Sequence, residues 1–267
     1  MVSAEELYEI WSRDSELRET LKQSLEPRGT DWLFELFASL GPREGDVLLD
    51  VGCRDAKHAI RLVRKHGLRV YALDPLPLHV ELAKQAVADG GLERDIEVVE
   101  APMELLPLDD RCADWIWCRD VLVHVDLDRG LGECARVLRA GGRMIAYVTL
   151  ATELLEPRER AELVAAAAVR PDSFDAAAVE SAAAAAGLAQ VSVDQIGGEW
   201  RERMIEDGAW DAAETLLGLS RLRRREPELV GTHGQTAVAA YRGGQLWGIY
   251  QLIGKLCPTV YVWERGA

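Results

Sequence analysis

The sequence predicts an open α/β fold built on a mostly parallel sheet. Three observations carry that expectation. Apolar runs alternate with helical segments from residue 46 to residue 149, the pattern of strand–helix–strand crossovers. The run Val47-Leu48-Leu49-Asp50-Val51 passes through Gly52-Cys53 into a helix beginning near Ala56, which places a ligand at the carboxyl end of a parallel strand. The next run, Val70-Tyr71-Ala72-Leu73, ends in Asp74, an acid placed to accept hydrogen bonds from ribose hydroxyls.

Taken in order, residues 5–25 form an amphipathic helix with Leu7, Ile10, Trp11, Leu17 and Leu21 on one face. Glu26-Pro27-Arg28-Gly29 breaks it, and a second helix from about Asp31 to Leu40 takes Thr30 or Asp31 as its N-cap. Strands are expected near 46–51, 69–74, 95–99, 113–118 and 142–149. Helices are expected near 56–66, 77–89, 120–123 with 128–138, and 157–167. Leu138 to Arg143 reads as a helix end closed by glycine that feeds the next strand. The alanine-dense stretch 176–186 is a helix ending at Gly187, and Gln190 to Ile196 alternates as a strand. Two helices, about 200–226 and 233–254, precede a last strand from Cys257 to Trp263.

At 267 residues the chain can bury one full core, so one domain is expected. Its formal charge of -14 argues against a nucleic-acid partner, and the dense basic run Arg221 to Arg225 reads as a solvated helix face. Cys53, Cys112, Cys118, Cys134 and Cys257 form no CxxC pair and no metal-ligand spacing, as a reducing cytosol tolerates. No apolar run approaches the roughly 18–20 residues that span a bilayer. The amino terminus is acidic where a signal peptide would be basic, so the expected location is cytoplasmic, with no membrane partner.

These pieces resemble the class I S-adenosylmethionine-dependent methyltransferases, most closely the small-molecule branch with ubiquinone-biosynthesis and glycine or sarcosine methyltransferases. The resemblance covers about 45–150 and extends more loosely to 267. It implies a Rossmann-like, seven-stranded, mostly parallel sheet with the last strand antiparallel, N-terminal helices, and a helical insertion at about 200–254. It also implies a single domain over 1–267: a helical lid at 1–44, a cofactor-binding core at 45–150, and a carboxyl-terminal half at 151–267.

By resemblance, Asp50, Gly52 and Cys53 belong to the loop that cradles the methionine part of the cofactor. Arg54 and Ala56 stand where that loop carries its second and third glycines. Arg54 either swings outward or reaches for the cofactor carboxylate. Asp74, followed by Pro75, matches the ribose acid. Glu100 to Pro107 resembles the adenine segment, which would set Ala101, Pro102 and Met103 beside the ring. Arg119 falls where the fourth strand lines the methionyl end. Pro27-Arg28-Gly29 is similar to a turn that closes over the cofactor, with Arg28 either pairing with the carboxylate or serving as a surface arginine.

Methyl transfer from a sulfonium needs alignment and exclusion of water more than a dedicated triad. No Gly-x-Ser-x-Gly and no His-Glu-x-x-His is present. Three residues are candidate bases. His124 is either a base or a structural hydrogen-bonding residue. His233, expected to begin the last long helix, is either a base or substrate contact or a helix-start residue. By resemblance, Asp120 would lie close to the transferring methyl. Trp200, Trp210, Tyr241, Trp247 and Tyr250 either enclose a substrate or pack the core.

The function implied is methyl transfer to O or N of a small metabolite, with S-adenosylmethionine as cofactor and no metal. The alanine- and arginine-rich composition fits a bacterial secondary-metabolite pathway, and the inserted helices are a candidate homodimer surface. The altered Arg54-Asp55-Ala56 loop leaves an alternative: a methyltransferase-like protein that keeps the cofactor but catalyses a cyclisation or rearrangement, or only binds. A nicotinamide dehydrogenase fits less well, because Gly-x-Gly-x-x-Gly is absent.

Overall fold

The computed structural model describes residues 2–13 and 15–266. Two short helices, α1 (Ala4–Arg13) and α2 (Ser15–Thr20), precede α3 (Thr30–Ser39). The alternating unit follows: β1 (Val47–Val51), α4 (Lys57–His66), β2 (Arg69–Asp74), α5 (Pro77–Asp89), β3 (Ile96–Glu100), β4 (Ala113–Arg119), α6 (Leu127–Val137) and β5 (Leu138–Ala151). The remaining elements are α7 (Pro157–Ala166), α8 (Ala176–Ala185), β6 (Leu188–Gln195), α9 (Glu199–Glu206), α10 (Ala212–His233), α11 (Gln235–Leu252) and β7 (Leu256–Arg265).

The strands form one sheet in the order β3-β2-β1-β4-β5-β7-β6. The first five run parallel, and β7 inserts antiparallel between β5 and β6. The expected antiparallel last strand is therefore present, and it lies inside the sheet rather than at its edge.

Alternation along each strand divides the core into two layers. Leu49, Val51, Ile116, Cys118, Ala146 and Val148 face α6 and α8 on one side. Leu48, Trp115, Trp117, Ile145 and Tyr147 face α3 and α4 on the other. Because both faces are covered, the central strands are nearly continuous apolar runs, and the acids Asp50 and Asp74 stand out at their carboxyl ends.

Several boundaries differ from the sequence reading. The expected helix over 5–25 is two helices separated around residue 14, which lies outside the described residues. Its apolar face is uncovered, and α1 buries no residue. Neither Thr30 nor Asp31 caps α3; Gly29 does, without a side-chain bond. Glycine does not close α6 either. Leu138 is already extended and paired with Ala113, and the register shift between Ala113 and Trp115 takes up Gly141-Gly142. In the insertion, Pro227 lies inside α10, because packing of the α10–α11 hairpin outweighs the one backbone bond a proline removes. Gly234, at φ 84°, makes the break instead, so His233 ends α10 rather than beginning the last helix.

Candidate active site

A cleft of about 1000 Å³ opens at the carboxyl ends of β1, β2 and β4. Its floor is the loop from Gly52 to Ala56. Gly52 has φ +76°, and a Cβ there would stand 2.3 Å from Val121 Cγ2, so only glycine fits. Its N–H and that of Cys53 donate to the Leu73 carbonyl at 2.8 and 2.9 Å, which ties the loop to the end of β2. Arg54 and Ala56 both hold left-handed backbone, at φ 51° and 54°. The loop thus keeps a glycine-type path with side chains on it, at a cost of about 1–2 kcal/mol per residue. Arg54 is exposed and lines the cleft.

Asp50 is 3% exposed, and its Oδ2 is buried without a hydrogen-bond partner. Burial, with the nearby Asp74 charge adding to it, pushes its carboxyl up to about 7. Asp74 is organised from three sides. Its Oδ2 accepts the Arg54 N–H at 3.0 Å, while Oδ1 accepts the Leu76 N–H and faces His79 Nδ1, both at 3.0 Å. Pro75 lines the cleft beside it.

At the end of β4, the Arg119 guanidinium lies over the rings of Tyr147 and Trp200, 5.6 and 5.3 Å from their centroids. Asp120 takes φ 55°. Its N–H donates to the Tyr147 carbonyl at 2.8 Å, and its Oδ1 accepts from Thr149 Oγ1 at 3.0 Å. Gln251 Nε2 donates to the same Thr149 oxygen at 2.9 Å, and Arg201 Nε donates to Gln251 Oε1. Burial raises the Asp120 carboxyl above its ordinary range, against the lowering effect of Arg119 and Thr149. His124 lines the same cleft with its Nδ1 3.1 Å from the Ala168 carbonyl, which fixes the proton on Nδ1 in the neutral ring.

The cleft therefore brings together Asp50, Gly52, Cys53, Asp74, Pro75, Arg119, Asp120 and His124. Ala101 and Met103 are instead buried in the layer under α6, where Met103 packs against Gly130. Pro102 is exposed, and from that segment Glu104 reaches the cleft. Arg28 is committed elsewhere: its Nε and Nη2 donate to Glu199 at 2.9 and 2.7 Å, and Nη1 reaches Asp194 at 3.3 Å. His233 lines a separate groove between α10 and α11 with Leu222 and Tyr241. Of the aromatic residues in the insertion, Trp200 packs on Tyr147 and Trp247 stacks on Phe174, which makes them core.

Sequence reasoning missed His58, Thr149, Arg201 and Gln251. A signal for His58 existed, since it falls in the first turn of the helix that follows the glycine loop. Among the described residues no cluster of three or more His, Cys, Asp or Glu side chains could hold a metal. No described helix is long and apolar enough to cross a membrane.

Comparison with known proteins agrees with this geometry. Residues 49–146 match the family described as a methyltransferase domain. Sarcosine/dimethylglycine N-methyltransferase of Halorhodospira halochloris is 35% identical over 119 residues, which are 44% of this chain and 42% of that protein. Methyltransferase GfsG of Streptomyces halstedii is 36% identical over 111 residues, 41% of this chain and 40% of that protein. The chain thus spans less than half the length of either relative. The structure of geranyl diphosphate C-methyltransferase from Streptomyces coelicolor A3(2), in complex with Mg2+, geranyl diphosphate and S-adenosyl-L-homocysteine, superposes with a TM-score of 0.66. At 14% identity over 88% of this chain and 78% of that one, the likeness shows the fold. The cleft formed by the loop after β1 and the acid ending β2 thus lies within the stretch, residues 49–146, that is similar to the methyltransferase domain family.

Proposed function

We propose that the protein transfers a methyl group from S-adenosylmethionine to an oxygen or nitrogen of a small metabolite. The observation that carries this reading is the pair of buried acids at adjacent strand ends, both opening on one cleft. Asp50 keeps an unpartnered buried oxygen, and Asp74 is positioned by backbone N–H groups. The cofactor fits these residues: Gly52 leaves its cradle free of a Cβ, and Asp74 suits vicinal ribose hydroxyls.

The cofactor supplies an electrophilic methyl carbon. What remains for the chain is to orient the acceptor, exclude water and take up a proton where the nucleophile carries one. Asp120 is the better-placed base, because burial raises its proton affinity and Thr149 holds one of its oxygens. His124 is the second, with Nε2 as its accepting nitrogen. We assign the cofactor cradle to Asp50, Gly52, Cys53, Asp74, Pro75 and Arg119.

The named methyltransferase relatives favour transfer over a cofactor-binding protein that does not transfer methyl. Five free cysteines support a reducing, cytoplasmic setting, and composition supports a bacterial secondary-metabolite pathway. The exposed Leu216, Leu217 and Tyr241 on the α10–α11 hairpin support a homodimer surface.

Calorimetric titration of S-adenosylmethionine and S-adenosylhomocysteine into wild type and Asp74→Asn tests the assignment. Micromolar binding to wild type, weakened at least about tenfold in the variant, is expected from the loss of a charge-assisted hydrogen bond. Absence of binding to folded wild-type protein would reduce the assignment to fold alone.

A further inference from the structure

Two nitrogen donors flank the His58 ring, which has one lone pair to offer them. Trp117 Nε1 donates to His58 Nδ1 at 3.1 Å, and Arg119 Nη1 stands 3.3 Å from His58 Nε2. Indole and guanidinium nitrogens only donate. Burial, reinforced by the Arg119 charge, lowers His58 to about 4, so the ring is neutral at neutral pH. A neutral imidazole has one lone pair and one N–H. It can accept from one of these neighbours and must meet the other donor to donor. The Trp117 contact is the shorter one, and Trp117 is fixed in the core with its ring stacked on Phe34 at 4.9 Å. The lone pair is therefore on Nδ1, and Nε2–H points at the Arg119 guanidinium with no acceptor between them.

Arg119 is in the matching situation. Among the described residues it forms no salt bridge, and its Nε is buried without a hydrogen-bond partner. Two aromatic faces hold it at the end of β4 in place of a carboxylate. Asp55, the loop acid whose charge reaches His58, is taken by Lys57 at 2.6 Å. A neutral donor and a cation thus converge on one point of the cleft, and a carboxylate is the group that satisfies both.

We infer that His58 Nε2 and Arg119 Nη1 form a two-donor receptor for a carboxylate, that of the amino-acid end of S-adenosylmethionine. This rests on the cofactor reading above. The sheet order supports the choice of end. Asp74 closes β2, Gly52 follows β1 and Arg119 closes β4, so a ligand whose ribose lies on Asp74 crosses two strand spacings, about 10 Å, before reaching Arg119. Arg28, held by Glu199 and Asp194, is not available for that role.

The test compares S-adenosylhomocysteine with 5′-methylthioadenosine, which keeps the nucleoside and sulfur but lacks the amino acid, by calorimetry on wild type, His58→Leu, His58→Asn and Arg119→Gln. His58→Leu and Arg119→Gln are expected to bind S-adenosylhomocysteine at least about tenfold more weakly, with 5′-methylthioadenosine affinity within about twofold of wild type. His58→Asn, which restores an N–H donor, is expected to recover part of the loss. Equal losses for both ligands would mean that His58 only supports the fold, and unchanged affinities would remove the receptor; either overturns the inference while leaving the cofactor reading intact. Failure of wild type to bind either compound would overturn both. A methyl acceptor is the other source of a carboxylate. If His58→Leu keeps its preference for S-adenosylhomocysteine but loses the acetate that binds S-adenosylhomocysteine-loaded wild type, the pair belongs to the acceptor and the assignment to the cofactor falls.

Discussion

Asp74 Oδ2 accepts the backbone N–H of Arg54 at 3.0 Å, so the acid that ends one strand holds the loop that follows its neighbour. The same carboxylate accepts the Leu76 N–H and faces His79 Nδ1. The acid proposed to bind the cofactor ribose is therefore also a structural one. Asp74→Ala leaves these donors without their acceptor and is expected to lower stability by about 2–4 kcal/mol, besides abolishing cofactor binding. Urea midpoints measured beside calorimetry separate the two effects. Asp74→Asn keeps one acceptor oxygen and is expected to cost less than half as much.

Gly52→Ala meets two obstacles, the left-handed φ of +76° and the contact at 2.3 Å with Val121 Cγ2. We expect a loss of about 2–4 kcal/mol, of which Val121→Ala in the double variant restores the steric share but not the backbone share. Full recovery in the double variant would show that φ costs nothing here.

Arg54→Gly should behave unlike arginine-to-glycine changes elsewhere on the surface. The residue is exposed and sits at φ 51°, so relief of strain opposes the entropy glycine adds to the unfolded chain. The expected outcome is a change between zero and about 1 kcal/mol in the stabilising direction, read from thermal and urea midpoints. A clear destabilisation would mean that the Arg54 side chain itself holds the loop.

Stability should respond to pH through Asp50 and His58 in opposite senses. Asp50 ionises near 7 when folded and near roughly 3.9 when unfolded. Between these values the folded state keeps a proton that the unfolded chain has lost, so its contribution is present at low pH and disappears as pH rises to about 7. Asp50→Asn should therefore gain on wild type as pH climbs from about 4 to 7 and level off above, by on the order of 4 kcal/mol at most. His58 has its pKa lowered to about 4, so its contribution is present above roughly 6.5 and is lost as pH falls to about 4. His58→Asn should gain on wild type in that acid window. Chemical denaturation of the three proteins from pH 4 to 8 checks both signs.

How much of the site was legible depended on how local its determinants were. The order of strands and helices, and the placement of Asp50, Gly52 and Asp74 at strand ends, follow from periodicity and turn chemistry within a few residues of each position. The segment expected to flank adenine was less legible, because the burial of Ala101 and Met103 depends on α6 packing across them. The expected helix end at 226, just before Pro227, failed for a similar reason: local propensity marks a stop there, but the partner helix α11 decides.

The sequence by itself determined the α/β class, the parallel core and the two acids of the cleft, because side-chain period and strand-end chemistry are encoded in adjacent residues. Only the tertiary structure decided which cations reach the ligand side. Arg28 is spent on Glu199, 171 positions away, and His233 falls in a different groove. Arg119 and His58 remain at the cleft, because Trp117, Tyr147 and Trp200 fix them there without supplying a carboxylate. Long side chains take their direction from what packs against them, and those partners are set by the fold rather than by the neighbouring sequence.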